Sequence, residues 1–93
     1  MKATRFQAPL LSGHKGGAVE VPFDPSAKWQ TPSQQIRPGR RGHCASATLH
    51  GVKFDSAIVV RSRRFWLLID DSVIAAAKVQ IGDVVNVAVA PLK

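Results

Sequence analysis

Residues 64–91 constrain the fold of this chain more than any other part of it. In order they hold an apolar run, an acidic pair, a helical pattern, a turn and a β-branched run, at residues 65–69, 70–71, 72–78, 82–83 and 84–89. Both faces of the first run are apolar, so we expect a strand that is covered on both sides. Asp70 or Asp71 is placed to cap the helix. The span therefore predicts strand, helix, turn and strand.

Four further strands are predicted from alternation of apolar and polar side chains. In one of them Val19, Val21 and Phe23 alternate with Glu20 and Pro22. The four lie at residues 2–11, 18–23, 42–50 and 52–60, and the first two are expected to form a hairpin. Val60 is expected to point inward at the end of the fourth.

The connections between these strands complete the predicted fold. Asp24 is an N-cap candidate before Pro25, which predicts a helical turn after the second strand. Residues 30–41 combine prolines, glycine and polar residues without a period, which indicates a long mobile loop. Six strands in so short a chain predict a mainly β fold, a small closed barrel that leaves no exposed sheet edge. One helix is expected between its last two strands.

Length and charge bound the class of protein. The chain has 93 residues, which predicts one domain over residues 1–93, and a formal net charge of +7. A positive excess favours anionic partners through long-range attraction. Cys44 is the single cysteine, so an internal disulfide is excluded and a reducing, cytoplasmic setting is expected. The longest apolar runs are about five residues, against the roughly 20 that span a bilayer, so no membrane association is expected.

Glycines and core positions give the chain a family resemblance. The features that carry it are the Gly16-Gly17 pair before a strand, Arg41-Gly42 opening another, Gly51 with Phe54, and Gly82-Asp83 before the valine-rich run. This pattern resembles the bacterial family of domains of unknown function DUF1905 over about residues 6–89. The resemblance implies a small six-stranded β-barrel with helical insertions. It implies no activity and no catalytic residues.

Nucleophilic catalysis would require Cys44 beside a base. His43 is adjacent and so points to the opposite face of a strand, while His50 is six residues on, roughly 20 Å away along a straight strand. Neither is within hydrogen-bonding reach of the thiol. We therefore expect Cys44 to be a small buried thiol.

Metal and phosphate sites are also not indicated. His14, His43, His50 and Cys44 lack the usual ligand spacing, and helix capping explains the acidic pair at residues 70–71. The glycines at residues 13–17 stand between two strands, where a hairpin turn accounts for them better than a phosphate loop. No metal, cofactor or catalytic residue is predicted.

Two arginine clusters are the functional signal that remains. If they reach one side of the barrel they would form an anion-binding patch, with Trp66 or Phe54 placed to stack a base. The clusters are Arg37, Arg40 and Arg41 in the predicted loop, and Arg61, Arg63 and Arg64 in a turn. The alternative is a solvated basic surface that aids solubility.

Three classes of function stay open from the sequence. We expect a non-enzymatic binding or interaction module, acting as a monomer or homodimer. The alternative is a nucleic-acid or other polyanion binder, whose affinity would fall steeply with salt. An enzyme ranks third, and a deep pocket with convergent polar groups would favour it.

Overall fold

Strands make up most of this protein. The computed structural model describes residues 3–13, 16–30, 32–37 and 40–92, with the backbone alone at Arg37 and Arg40. Within these residues the strands are β1 (Thr4–Pro9), β2 (Leu11–Gly13), β3 (Gly16–Val21), β4 (Gln34–Arg37), β5 (Arg40–Leu49), β6 (Val52–Arg61), β7 (Arg64–Asp70) and β8 (Val84–Pro91). The helices are α1 (Pro25–Trp29) and α2 (Asp71–Ala77). The predicted mainly β fold is confirmed.

The strands form one curled antiparallel sheet. Its order is β1-β8-β5-β6-β7-β3-β2, and β4 pairs with β5 beside this path. The first and last strands of that order, β1 and β2, follow each other in the chain and are separated by Leu10 alone. The Leu10 amide donates to the carbonyl of Asp83 at 2.8 Å, and the Gly82 amide donates to the carbonyl of Leu10 at 2.7 Å. The sheet thus curls as a half-barrel, and its closure as a six-stranded barrel stays a prediction.

Alternation along the strands fills the inside of the curl. Side chains of β3, β5, β7 and β8 that point inward are buried, since successive residues of a strand face opposite sides. They include Val19, Val21, Ala45, Ala47, Leu49, Leu67, Ile69, Val85, Val87 and Val89. The other face of β7 carries Trp66 and Leu68, which are half-buried. Burying each valine or leucine contributes about 1.5–3 kcal/mol to folding.

Capping differs between the two helices. Asp24 is the N-cap of α1, where its Oδ1 accepts from the Ser26 amide at 2.9 Å. Asp70 is the N-cap of α2 in backbone conformation, but its side chain makes no capping hydrogen bond. At the other end of α2, Lys78 takes a left-handed conformation with φ 58°. The capping role predicted for the acidic pair is therefore limited to the position of Asp70.

Three predictions about the strands are wrong in detail. The loop predicted over residues 30–41 is wrong for Gln34–Arg37, which is a strand paired with β5, and for Arg40, where β5 begins. Residues 31, 38 and 39 of that span lie outside the described residues. The first predicted strand is divided, because β1 pairs with β8 and only β2 pairs with β3. Val60 is 56% exposed because it lies where β6 runs past the core.

Candidate anion-binding site

Two hairpins lie side by side at one end of the sheet. The first joins β4 to β5, and the second joins β6 to β7. Strands β5 and β6 are paired, with Gly42 opposite Val59. Arg40 and Arg61 each lie two residues beyond this pair, in the same direction along the sheet. We call residues 37, 40–41 and 61–64 together the cationic hairpins.

The β6–β7 hairpin ends in a tight turn built without glycine. Arg61 pairs with Arg64 across it. The two residues between them, Ser62 and Arg63, have φ of 54° and 63°, the pattern of a type I′ turn. Positive φ is uncommon for residues other than glycine, asparagine and aspartate. All four residues are exposed, so this turn presents its arginines to solvent.

The β4–β5 hairpin brings the other arginines to the same end. Arg37 pairs with Arg40, and the register shifts between Gln35 and Arg37. The Arg41 guanidinium is engaged locally, since its Nη2 donates to the Ser33 carbonyl at 2.8 Å. The structure thus places all six predicted arginines on adjacent hairpins. Their binding of an anion stays a prediction.

Among the side chains that the structure describes, the carboxylate of Glu20 contacts the cationic hairpins. Arg64 Nη1 lies 3.0 Å from Glu20 Oε1, and the two side chains are 62% and 42% exposed. An exposed pair of this kind contributes about 0–1 kcal/mol to stability. Its larger effect is on the local field, because it offsets one of the arginine charges.

A groove of about 780 Å³ begins at these hairpins and runs along the outer face of β6 and β7. Trp66 lines it, and its indole Nε1 donates to the Arg61 carbonyl at 3.2 Å. The apolar residues that line the groove are Leu11, Ala18, Ile36, Ala57, Val59, Leu68 and Ile69. The predicted stacking residue therefore lies in a groove, with its ring held by a backbone contact.

The two ends of the groove carry opposite charge. Arg61 lines one end, and Asp55 and Asp70 line the other. The two carboxylates lie at one level of the sheet, because Ile58 pairs with Leu67 in antiparallel strands and each aspartate is three residues from that pair, in the same direction along the sheet. Cys44 also lines the groove and is half-buried, accepting from Gln34 Nε2 at 3.3 Å. The expectation of a buried thiol is wrong to that extent.

A second polar contact joins α1 to β5. His43 is 6% exposed, and its Nε2 lies 3.2 Å from Ser26 Oγ. Its ring meets the Trp29 ring edge-on at 6.2 Å between centroids. A serine beside an imidazole is also the arrangement of a nucleophile and its base. Here the serine lies in the first turn of α1 and the histidine in β5, so the contact ties the helix to the sheet.

Sequence reasoning missed the contact between Ser26 and His43. Alternation already placed His43 on the same face as Ala45, Ala47 and Leu49, which was a usable signal for its burial. Its partner is 17 residues away, on a helix whose docking the sequence does not show.

The chain has a match among family sequence models. The family described as "Domain of unknown function (DUF1905)" matches residues 6–89. No curated protein matches the chain. Among the described residues, neither helix is long and apolar enough to cross a membrane.

Proposed function

Because the chain belongs to DUF1905, a family whose description assigns no activity, we propose from its own surface that it is a non-enzymatic binding module for polyanions, nucleic acids in particular. The cationic hairpins are the proposed site. The observation that carries the proposal is the pairing of Gly42 with Val59, which sets both hairpin ends next to each other.

Charge density supports a polyanion rather than a single small anion. Six arginines lie within two adjacent hairpins, in a chain whose formal net charge is +7. Guanidinium groups bind phosphate oxygens through two parallel hydrogen bonds, so several of them along one edge match a repeating phosphate backbone. A basic surface that only aided solubility would instead have its charges spread over the whole surface.

The separate contacts of Cys44, His43 and His50 support binding over catalysis. The Cys44 thiol is near Gln34, the His43 ring is near Ser26, and His50 Nε2 accepts from the Asn86 amide at 3.3 Å. These groups serve three separate contacts. A catalytic pair needs nucleophile and base aimed at one reacting atom.

The proposed closure of the sheet fits this role. Leu10 joins β1 to β2 at the two ends of the strand order, so we propose a closed six-stranded barrel. Its rim would then carry the cationic hairpins on a rigid support. Rigid presentation lowers the entropy that binding must overcome.

The test is a fluorescence-anisotropy titration with single-stranded and duplex oligonucleotides over a range of salt. The double variant Arg61→Ala with Arg63→Ala is compared with Lys53→Ala with Arg5→Ala, which removes the same charge from exposed positions outside the cationic hairpins. We expect the hairpin variant to bind at least about tenfold more weakly and to lower the salt slope by about two, since each lost phosphate contact lowers it by about 0.9. Equal losses in both variants, or no binding at low salt, would reject the proposal.

A further inference from the structure

The groove on the outer face of β6 and β7 joins the cationic hairpins to an apolar floor. We infer that it holds a short single-stranded segment of nucleic acid, with a phosphate at Arg61, a base on Trp66 and the strand ending before Asp55 and Asp70. This inference rests on the proposed function and names the class of its ligand and the place of that ligand in the groove.

The size of the groove favours unpaired bases. Its volume of about 780 Å³ lies within the range of about 300–1,000 Å³ found for small-ligand pockets. That space admits one or two inserted bases, while the other nucleotides of the segment contact the groove through their backbone. A duplex keeps its bases stacked inside and can offer this groove only its backbone.

Trp66 is prepared for stacking. Its Nε1 donates to the Arg61 carbonyl, so the one polar atom of the indole is satisfied within the protein and the ring is oriented. Two residues along β7 from Trp66, Leu68 lies opposite Ala18. Ala18 and Ala57 are small and line the groove at that level, which leaves depth on one side of the ring. A base that enters this space replaces water over apolar surface, and any base can do so because every base has a π face.

The charges along the groove limit its length. Asp55 and Arg61 are six residues apart on one strand, roughly 20 Å. At the stacked spacing of about 3.4 Å per nucleotide, at most about six nucleotides lie between them. Beyond this point the carboxylates of Asp55 and Asp70 repel phosphates, so a longer strand must leave the groove.

An extended peptide is the rival occupant, because the groove has one end of each charge. The cationic hairpins favour the nucleic acid. They continue the positive end of the groove over two hairpins, whereas a peptide has a single terminal carboxylate to place there. Competition between a peptide and the oligonucleotide is therefore one outcome of the test.

The experiment measures the affinity of single strands of about six nucleotides, and of about twice that length, for the wild type, Trp66→Leu and Trp66→Phe. We expect Trp66→Leu to lower the affinity about tenfold or more, because one base stack is lost. Trp66→Phe should keep most of it. In the wild type, binding should quench tryptophan fluorescence, and Trp66→Phe should remove that quenching because the other tryptophan, Trp29, is 7% exposed.

A separate measurement tests whether the charge of Asp55 limits the length of the bound strand. Asp55→Asn should raise the affinity for the longer strand more than for the shorter one, since it removes repulsion only where the strand leaves the groove. Asp83→Asn removes the same charge elsewhere and should raise both affinities alike. Circular dichroism identifies any variant that fails to fold, and wild-type quenching then remains the deciding measurement.

The results separate this inference from the proposed function. If duplex binds as tightly as single strand, if Trp66→Leu binds like wild type, or if a neutral peptide displaces the strand, the groove does not hold bases and the inference is overturned. The proposed function still stands in that case, provided that the Arg61 and Arg63 double variant weakens binding. If no oligonucleotide binds at low salt, both are rejected.

Discussion

The Ser26 hydroxyl lies 3.2 Å from Nε2 of His43, across 17 residues of sequence. This contact fastens α1 to the strand that leads out of the β4–β5 hairpin. His43 is the buried polar residue of the core among the residues described, and a buried ring nitrogen without a partner is costly. The position of α1 is thus coupled to the base of the cationic hairpins.

Replacing Ser26 by alanine should lower the free energy of unfolding. The loss should be about 1 kcal/mol, a usual value for one neutral hydrogen bond. Urea denaturation followed by tryptophan fluorescence measures it. Ser26→Thr keeps the hydroxyl and is the control; if it loses as much stability as Ser26→Ala, the contact with His43 does not contribute.

Replacing Glu20 by glutamine should strengthen polyanion binding. The change removes the carboxylate 3.0 Å from Arg64 Nη1, so the local positive field rises and Arg64 gains freedom to bind a phosphate. Stability should change by less than about 1 kcal/mol, because both side chains are exposed. Salt titration of the oligonucleotide affinity is the readout. Asp83→Asn raises net charge equally, and an equal gain in that variant would contradict a local effect.

Replacing Lys78 by glycine should stabilise the protein. Lys78 ends α2 with φ 58° and ψ 41°, and a side chain in this left-handed conformation costs about 1 kcal/mol that glycine avoids. Thermal and urea unfolding should both show a gain of about that size. Lys78→Ala loses the same charge and keeps the Cβ atom, so it should show no gain.

Replacing Gly42 by alanine should disturb the site as well as the fold. A Cβ at Gly42 would collide with the backbone carbonyl of Ile58 and come within 3.0 Å of Ile36 Cδ1. Strands β5 and β6 would have to separate where the two hairpins meet. We expect a loss of about 1–3 kcal/mol in stability and weaker oligonucleotide binding in the fraction that folds. Cys44→Ala, two residues on, is the reference, and a smaller loss is expected there.

Local patterns predicted most strands, because an alternating run such as 84–89 has to bury one face wherever its partner lies. They did not predict β4, since the prolines at 32 and 38 and the shift between Gln35 and Arg37 remove the alternation. The pairing of β1 with β8 also escaped sequence reasoning. It joins Thr4 to Val89, a long-range choice that depends on the whole curl.

The candidate site also combines features that the sequence predicts with features that depend on long-range strand pairing. Sequence singled out the arginines and Trp66 by residue type. Whether the two clusters meet depends on the register of β5 against β6, because a register shift would move the hairpin ends apart along the sheet. The groove depends further on the small residues Ala18 and Ala57, which line it at the level of Leu68 because β7 lies between β3 and β6.

The short strand β4 has one further consequence. Within the described residues it pairs with β5 on one side only, so its other side offers backbone groups to any strand that approaches. An unpaired strand edge of this kind favours self-association through strand pairing. Here it leads directly into the arginine-rich turns, and two copies that met along it would bring like charges together. The same cations that we assign to ligand capture should therefore help to keep the molecules apart at low salt, and added salt should weaken that protection.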